Sequence, residues 1–205
     1  MHHLSNDLGS TKRIYYYSLL LSILTSLLII NPIIDLFKEW ITLEVWIEYL
    51  LVFIELPSVV GLYELYNRLF DKYIWKYNFI RLFGLPKIPN LNGKWKATIK
   101  SSYKKTEKSG DVTIHHNYSN FSLILKTDES KSHTTMSSLT LKDPINRKIT
   151  WTYMCEPLPN SNNKLHTHCG TNHLEILDGE KELRGSYYSG RDRRNIGEFF
   201  LKKIE

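Results

Sequence analysis

Apolar and polar positions alternate in two different rhythms along this chain. Residues 14–30, IYYYSLLLSILTSLLII, form an unbroken run without charge. A helix of that length reaches about 25 Å, and a residue or two more at each end spans the roughly 30 Å hydrocarbon core of a bilayer. Residues 45–63, VWIEYLLVFIELPSVVGLY, are long enough to cross as well. They carry Glu48 and Glu55, seven apart and so on one face of a helix, and Pro57, which predicts a kink or a stop. Residues 64–83, ELYNRLFDKYIWKYNFIRLF, mix aromatic and basic side chains at near-helical spacing. They predict an amphipathic helix on the inner leaflet or a plain extension of the second span. Gly84-Leu85-Pro86 stops that helix.

From residue 91 the period becomes two. Trp95, Ala97, Ile99 and Ser101 alternate with Lys94, Lys96, Thr98 and Lys100. Phe121, Leu123, Leu125 and Thr127 repeat the pattern, as do Ile149, Trp151 and Tyr153. Further short runs fall at 136–141, 166–177, 183–188 and 196–202, separated by Asp143-Pro144 and Asp178-Gly179. About seven or eight strands with turn signals between them predict a small antiparallel all-β barrel, a closed form that leaves no strand edge exposed. The fold class read from the sequence is therefore a membrane protein with two N-terminal transmembrane α-helices followed by that barrel. The expected divisions are 1–13, a cytoplasmic N-terminal segment; 14–63, a two-helix transmembrane region; 64–90, a juxtamembrane helix and linker; and 91–205, a β-barrel ligand-binding domain.

A cleaved signal peptide shares the charged start at Lys12 and Arg13. However, Asn31-Pro32 stands where a small-x-small cleavage site belongs, and a second apolar stretch follows, so a retained anchor is expected. Lys12 and Arg13 precede the first span, and Arg68, Lys72, Lys76 and Arg81 follow the second; the connector carries only Lys38. This places both termini on the cytoplasmic side of a multi-pass membrane protein. Two carboxylates facing lipid would cost a few kcal/mol each. Glu48 and Glu55 are therefore expected at an oligomerisation seam or a leaky pore, with an interfacial or protonated position as the alternative.

Charge adds a direction. The chain has 27 Lys and Arg against 21 Asp and Glu, a net +6, and the charges up to residue 90 cancel. The whole excess sits in the β-rich part and suits an anionic partner, although a slightly basic surface needs none. Two cysteines, Cys155 and Cys169, make no disulfide framework and fit a reducing compartment.

The densest chemistry is RGSYYSGRDRRNIG at 184–197. Tyr187 and Tyr188 offer stacking faces, and Arg191 and Arg193 offer forked donors for phosphate, a combination that fits a nucleotide. A solvated hairpin tip would carry the same residues. The stretch TDESKSHTTMSS at 127–138 offers the hydroxyls of Thr127 and Ser130 to phosphate or ribose, although a stretch of this kind is usually only a polar turn, and Trp151 adds a further ring on its strand. The histidines and Cys169 match no zinc signature, no Walker or dinucleotide-fold glycine pattern is present, and no catalytic triad order is legible. Neither a metal, a cofactor nor a catalytic residue is expected, and the chain is read as a binding protein, not an enzyme.

Two spans leading into PNLNGKW (Pro89 to Trp95), then HCGT (His168 to Thr171) and LRGSYYSGRDRRNIG (Leu183 to Gly197), together resemble the two-transmembrane, β-strand-rich effectors of bacterial cyclic-oligonucleotide anti-phage signalling (CBASS). The resemblance implies a β-barrel that binds a cyclic dinucleotide made by a cGAS-like nucleotidyltransferase. It also implies an effector that oligomerises in the inner membrane, disrupts it and kills the infected cell by abortive infection, with no nucleic acid polymer as partner. On it, the family's glycine-tryptophan start falls on Gly93 and Trp95, and its G-x-Y-Y-x-x-R-x-R pattern on Gly185, Tyr187, Tyr188, Arg191 and Arg193. Two other readings stay open from the residues alone. One is a membrane-tethered barrel that holds an apolar ligand or a protein without nucleotide gating; the other is a membrane-bound hydrolase that uses His168.

Overall fold

The computed structural model describes residues 2–40, 45–102, 106–143, 145–159, 161, 166–190 and 195–204. The chain forms two compact units, Gly9–Lys87 and a second made of Met1–Leu8 together with Ile88–Glu205.

In the first unit, α1 (Thr11–Thr25) passes through one π-helical turn, Ser26–Ile30, into α2 (Asn31–Trp40). Pro32 explains the widened turn: it lacks the N–H that an α-helix would direct at residue 28, and the neighbouring Asn31 N–H reaches back to the Ser26 carbonyl. The connector expected after residue 30 is thus helical over its first ten residues. The helix Thr11–Leu36 is long and apolar enough to cross a membrane. Its buried face carries Ile14 and Ile34 together with a row of serines. Ser18, Ser22 and Ser26 are buried while Leu20, Leu24, Leu27 and Leu28 are exposed. Small residues let a second helix approach closely.

That second helix is α3 (Val45–Lys72), which continues through Pro57. It packs on α1, where the Tyr66 and Thr25 hydroxyls lie 2.9 Å apart. The side chains of Glu48 and Glu55 lie outside the described residues. The stretch 64–83, read as one amphipathic helix or an extension, divides: α3 extends to Lys72, and two 3-10 segments, Ile74–Lys76 and Asn78–Phe83, follow. Gly84 ends the second in the left-handed region. Arg13 and Tyr17 of α1 donate hydrogen bonds to the carbonyls of Gly84 and Phe83, at 3.0 and 3.2 Å.

The second unit is a closed barrel of nine strands: β1 (His2–Asn6), β2 (Gly93–Ser101), β3 (Glu107–His116), β4 (Asn120–Lys126), β5 (Ser130–Thr140), β6 (Lys148–Pro157), β7 (His168–Leu177), β8 (Glu182–Ser189) and β9 (Ile196–Lys203). Strands β2 to β9 form an antiparallel meander closed by β2 against β9. The seven or eight strands expected are corrected to nine. The sequence pattern missed β3 because glycine and histidine occupy two of its inward positions: Gly110, Val112, Ile114 and His116 are buried. It missed β1 because HHLSN has one apolar residue, Leu4. Strand β5 starts six residues earlier than the apolar run suggested, since Ser132 and Thr134 fill its inward positions. A bulge between Thr134 and Met136 then shifts the inward phase to Ser137 and Leu139.

Candidate ligand-binding cavity

Alternation sends Trp95, Ala97, Val112, Ile114, Phe121, Leu139, Ile149, Leu174 and Leu201 inward, where each is at most 2 % exposed. They fill one half of the barrel, and the Trp95 indole N–H donates to the Leu91 carbonyl at 3.0 Å. A tier of rings crosses the lumen above them. The centroids of His116, Phe121, Trp151 and Phe199 follow one another at 5.8, 6.2 and 6.0 Å. Trp151 and Phe199 are the floor of a cavity of about 180 Å³ in the other half.

Two glycines hold that cavity open. Tyr153 on β6 is paired with Gly170 on β7, and Tyr187 on β8 with Gly197 on β9. A Cβ on Gly170 would lie 2.5 Å from Tyr153 Cζ, and one on Gly197 2.6 Å from Tyr187 Cε1. Each tyrosine ring therefore lies against the wall over a bare backbone instead of standing in the lumen. Asn172, 4 % exposed on β7, lines the wall between the two strands that carry the tyrosines. His168 at the start of β7 stands edge-on to Tyr153, with ring centroids 6.3 Å apart.

The mouth is polar. Lys108 on β3 forms an ion pair with Glu129, both half-exposed. Thr127 and Ser130 line the cavity and also close the β4–β5 turn: their hydroxyls lie 3.0 Å apart, and the Ser130 N–H donates to Thr127 Oγ1 at 3.1 Å. Ser189 and Asn195 line it as well and are joined through the Ser189 N–H to the Asn195 carbonyl at 2.8 Å.

Of the residues singled out from sequence, Tyr187, Trp151, Thr127 and Ser130 meet at this cavity. Tyr188 does not. Neighbouring residues of a strand face opposite ways, and Leu183 and Gly185 set the inward phase of β8 that Tyr187 shares. Tyr188 is 47 % exposed on the outer wall and stacks on His173, with centroids 6.3 Å apart. Arg191 and Arg193 lie outside the described residues; in sequence they fall between Ser189 and Asn195, two cavity-lining positions. Lys108, Glu129, Tyr153 and Asn172 were not singled out. Tyr153 had a signal, the same inward parity as Trp151. Lys108 had none, because its strand was not recognised.

Among the described residues no three His, Cys, Asp or Glu side chains converge as a metal would require. Away from the cavity, one lysine has an altered proton affinity. Burial holds the Lys203 ammonium below its ordinary value, partly offset by Glu180. Its Nζ donates to the Asn90 carbonyl at 3.3 Å and lies 5.5 Å from the centroid of the Trp95 ring.

No curated protein matches the chain closely enough to count as a relative. Residues 86–203 match the Cap15 cyclic dinucleotide receptor domain, a stretch that takes in β2 to β9 and leaves β1 outside. The match covers more than half of the sequence and takes in the whole β2–β9 meander: this chain belongs to the Cap15 family of CBASS effectors.

Proposed function

We propose that this chain is a membrane-anchored CBASS effector that takes a cyclic dinucleotide into the open half of its barrel, assembles in the bacterial inner membrane and disrupts it, killing the infected cell. The observation that carries the reading is the pair of tyrosines laid over glycines in a cavity with an aromatic floor. Two nucleobases need two flat faces, and the rings of Tyr153 and Tyr187 supply them. The phosphodiesters need cations. Lys108 stands at the mouth, and Arg191 and Arg193 follow Ser189 in the chain. Thr127 and Ser130 are the hydroxyl contacts, and Trp151 underlies the bases. The role is binding, not catalysis, and the cyclic dinucleotide comes from a cGAS-like nucleotidyltransferase in the same cytoplasm.

The output side rests on the burial pattern of the first helix, whose leucines face outward while its serines face α3. Two spans, with both termini cytoplasmic, follow from the flanking Lys and Arg. Neutralising the cationic barrels by ligand removes a repulsion between copies. Assembly then brings Glu48 and Glu55 of several copies together inside the bilayer, where their desolvation favours water entry.

The test is calorimetric titration of the full chain in detergent with cyclic dinucleotides, beside dye release from liposomes. Saturable binding that is lost on Tyr187→Ala and on Arg191→Ala with Arg193→Ala, together with ligand-dependent leakage, is expected. Unchanged binding in those variants removes the site assignment. The apolar floor formed by Trp151, Phe199, Leu123 and Leu125 favours a second reading, a tethered barrel holding an apolar ligand. That reading predicts indifference to nucleotides in the same titration.

A further inference from the structure

Strand β1 occupies a seam. Strands β4 and β5 pair directly only next to their turn, at Ile124↔His133, Leu125↔Ser132 and Lys126↔Lys131. Farther along, β1 lies between them, antiparallel to β4 at His2↔Phe121 and His3↔Asn120, and parallel to β5 at Leu4↔Ser137, Ser5↔Ser138 and Asn6↔Leu139. The seat is specific. Leu4 is 2 % exposed, its N–H donates to the Ser119 carbonyl at 2.7 Å, and the Asp7 carboxylate accepts the N–H groups of Leu141 and Lys142 at 2.8 and 3.0 Å.

We infer that this seam is a strand-exchange interface: the edges of β4 and β5 covered by residues 2–6 of their own chain accept the same segment from a second copy when the effector assembles. The inference rests on the proposal above that copies assemble, and it names the surface that joins them. A closed barrel offers no edge for a partner, so the one place where a strand can be traded is where closure depends on a short separate piece. Strand β1 is such a piece. It pairs at five register positions, whereas β2 pairs with β3 alone at eight. It lies outside the matched receptor domain, and residues 9–87 separate it in sequence from the rest of the barrel. Every bond it makes in its own barrel is available in another copy, so exchange changes only the backbone of the joint that follows. That joint contains Gly9 at φ +60°, with open space where a Cβ would be. The hairpin that forms the seam also lines the cavity through Leu123, Leu125, Thr127, Ser130 and Ser132, so a ligand and the seam act on one element. Without β1, Asn120–Phe121 and Ser137–Leu139 would present bare edges, which pair readily with another chain.

Ser5 and Ser138 are register partners, exposed and half-buried respectively, at a separation a disulfide spans in paired strands. The test uses the full chain in detergent with Cys169→Ser, Ser5→Cys and Ser138→Cys, and 3′,3′-linked cyclic di-GMP, cyclic di-AMP and cyclic GMP-AMP as probes. Oxidation before ligand should give a cross-link within one chain. The locked protein should keep its ligand affinity, lose assembly as read by light scattering, and regain it on reduction. A locked protein that assembles like the reduced one overturns the inference. A mixture of two single variants, Ser5→Cys in one copy and Ser138→Cys in a longer tagged copy, reads exchange directly and does not depend on folding of the double variant. A mixed covalent dimer that forms only with ligand supports exchange. Assembly without that dimer overturns exchange while leaving the assembly proposal standing. A wild-type protein that binds ligand and stays monomeric defeats the assembly proposal itself, and the exchange with it.

Discussion

At one end of the barrel the inward positions hold Trp95, Ile114, Phe121 and Leu139; at the other, the same sheet turns glycine, serine and tyrosine inward. Both ends share strands, register and twist. The side chains alone make one half solid and the other hollow, with the tier from His116 to Phe199 as the boundary. The difference teaches a division of labour. Apolar burial in the packed half holds the barrel closed, and that surplus lets the open half keep tyrosines at the wall, an ion pair at the mouth and space between them. A receptor needs both, because a cavity surrounded by a loose sheet would collapse on itself.

The comparison breaks most completely at its packed end. Trp95→Ala removes a fully buried indole together with its bond to Leu91 and should cost about 3–5 kcal/mol. Chemical denaturation should register that loss as a lower unfolding midpoint, with ligand binding weakened as a consequence. Next comes Gly170→Ala. The added Cβ meets both the Tyr153 ring and the backbone carbonyl of Tyr188, so strand and ring must shift, at about 1–3 kcal/mol. Thermal unfolding should register the loss, and titration a weaker ligand.

Tyr187→Ala sharpens the comparison. It removes a ring from the hollow half while sparing the packed half, so the unfolding midpoint should hardly move. Affinity should fall by about 1–3 kcal/mol, roughly ten- to a hundredfold, as the loss of one stacked base predicts. Lys108→Ala is gentler on the fold, since its ion pair with Glu129 is half in water and worth at most about 1 kcal/mol. Its effect should appear in the salt dependence of ligand affinity, which should flatten if the ammonium meets a phosphodiester.

The smallest effect concerns pH. The folded chain binds the Lys203 proton less readily than the unfolded chain does. Between the lowered folded value and the ordinary lysine value, the unfolded state carries more protons, so stability rises with pH across that window. Lys203→Met should flatten this rise relative to wild type in melts recorded over the alkaline range, while leaving ligand affinity at neutral pH unchanged.

Sequence by itself determined the uncharged run at 14–30, the change to period two after residue 90, and the inward faces of β2, β4 and β6, because each depends on spacing within a few residues. It also identified Tyr187, Tyr188 and Trp151 as ring-bearing candidates, of which Tyr188 faces the outer wall. Only the tertiary structure decided that Tyr153 and Tyr187 each lie over a glycine of the next strand, and that Lys108 stands opposite Glu129 at the mouth. It alone placed residues 2–6 beside residues 120–121 and 137–139. The reason is physical: alternation tells which side of a sheet a residue faces, but strand register and closure select its neighbours, and those are set by the packing of the whole barrel.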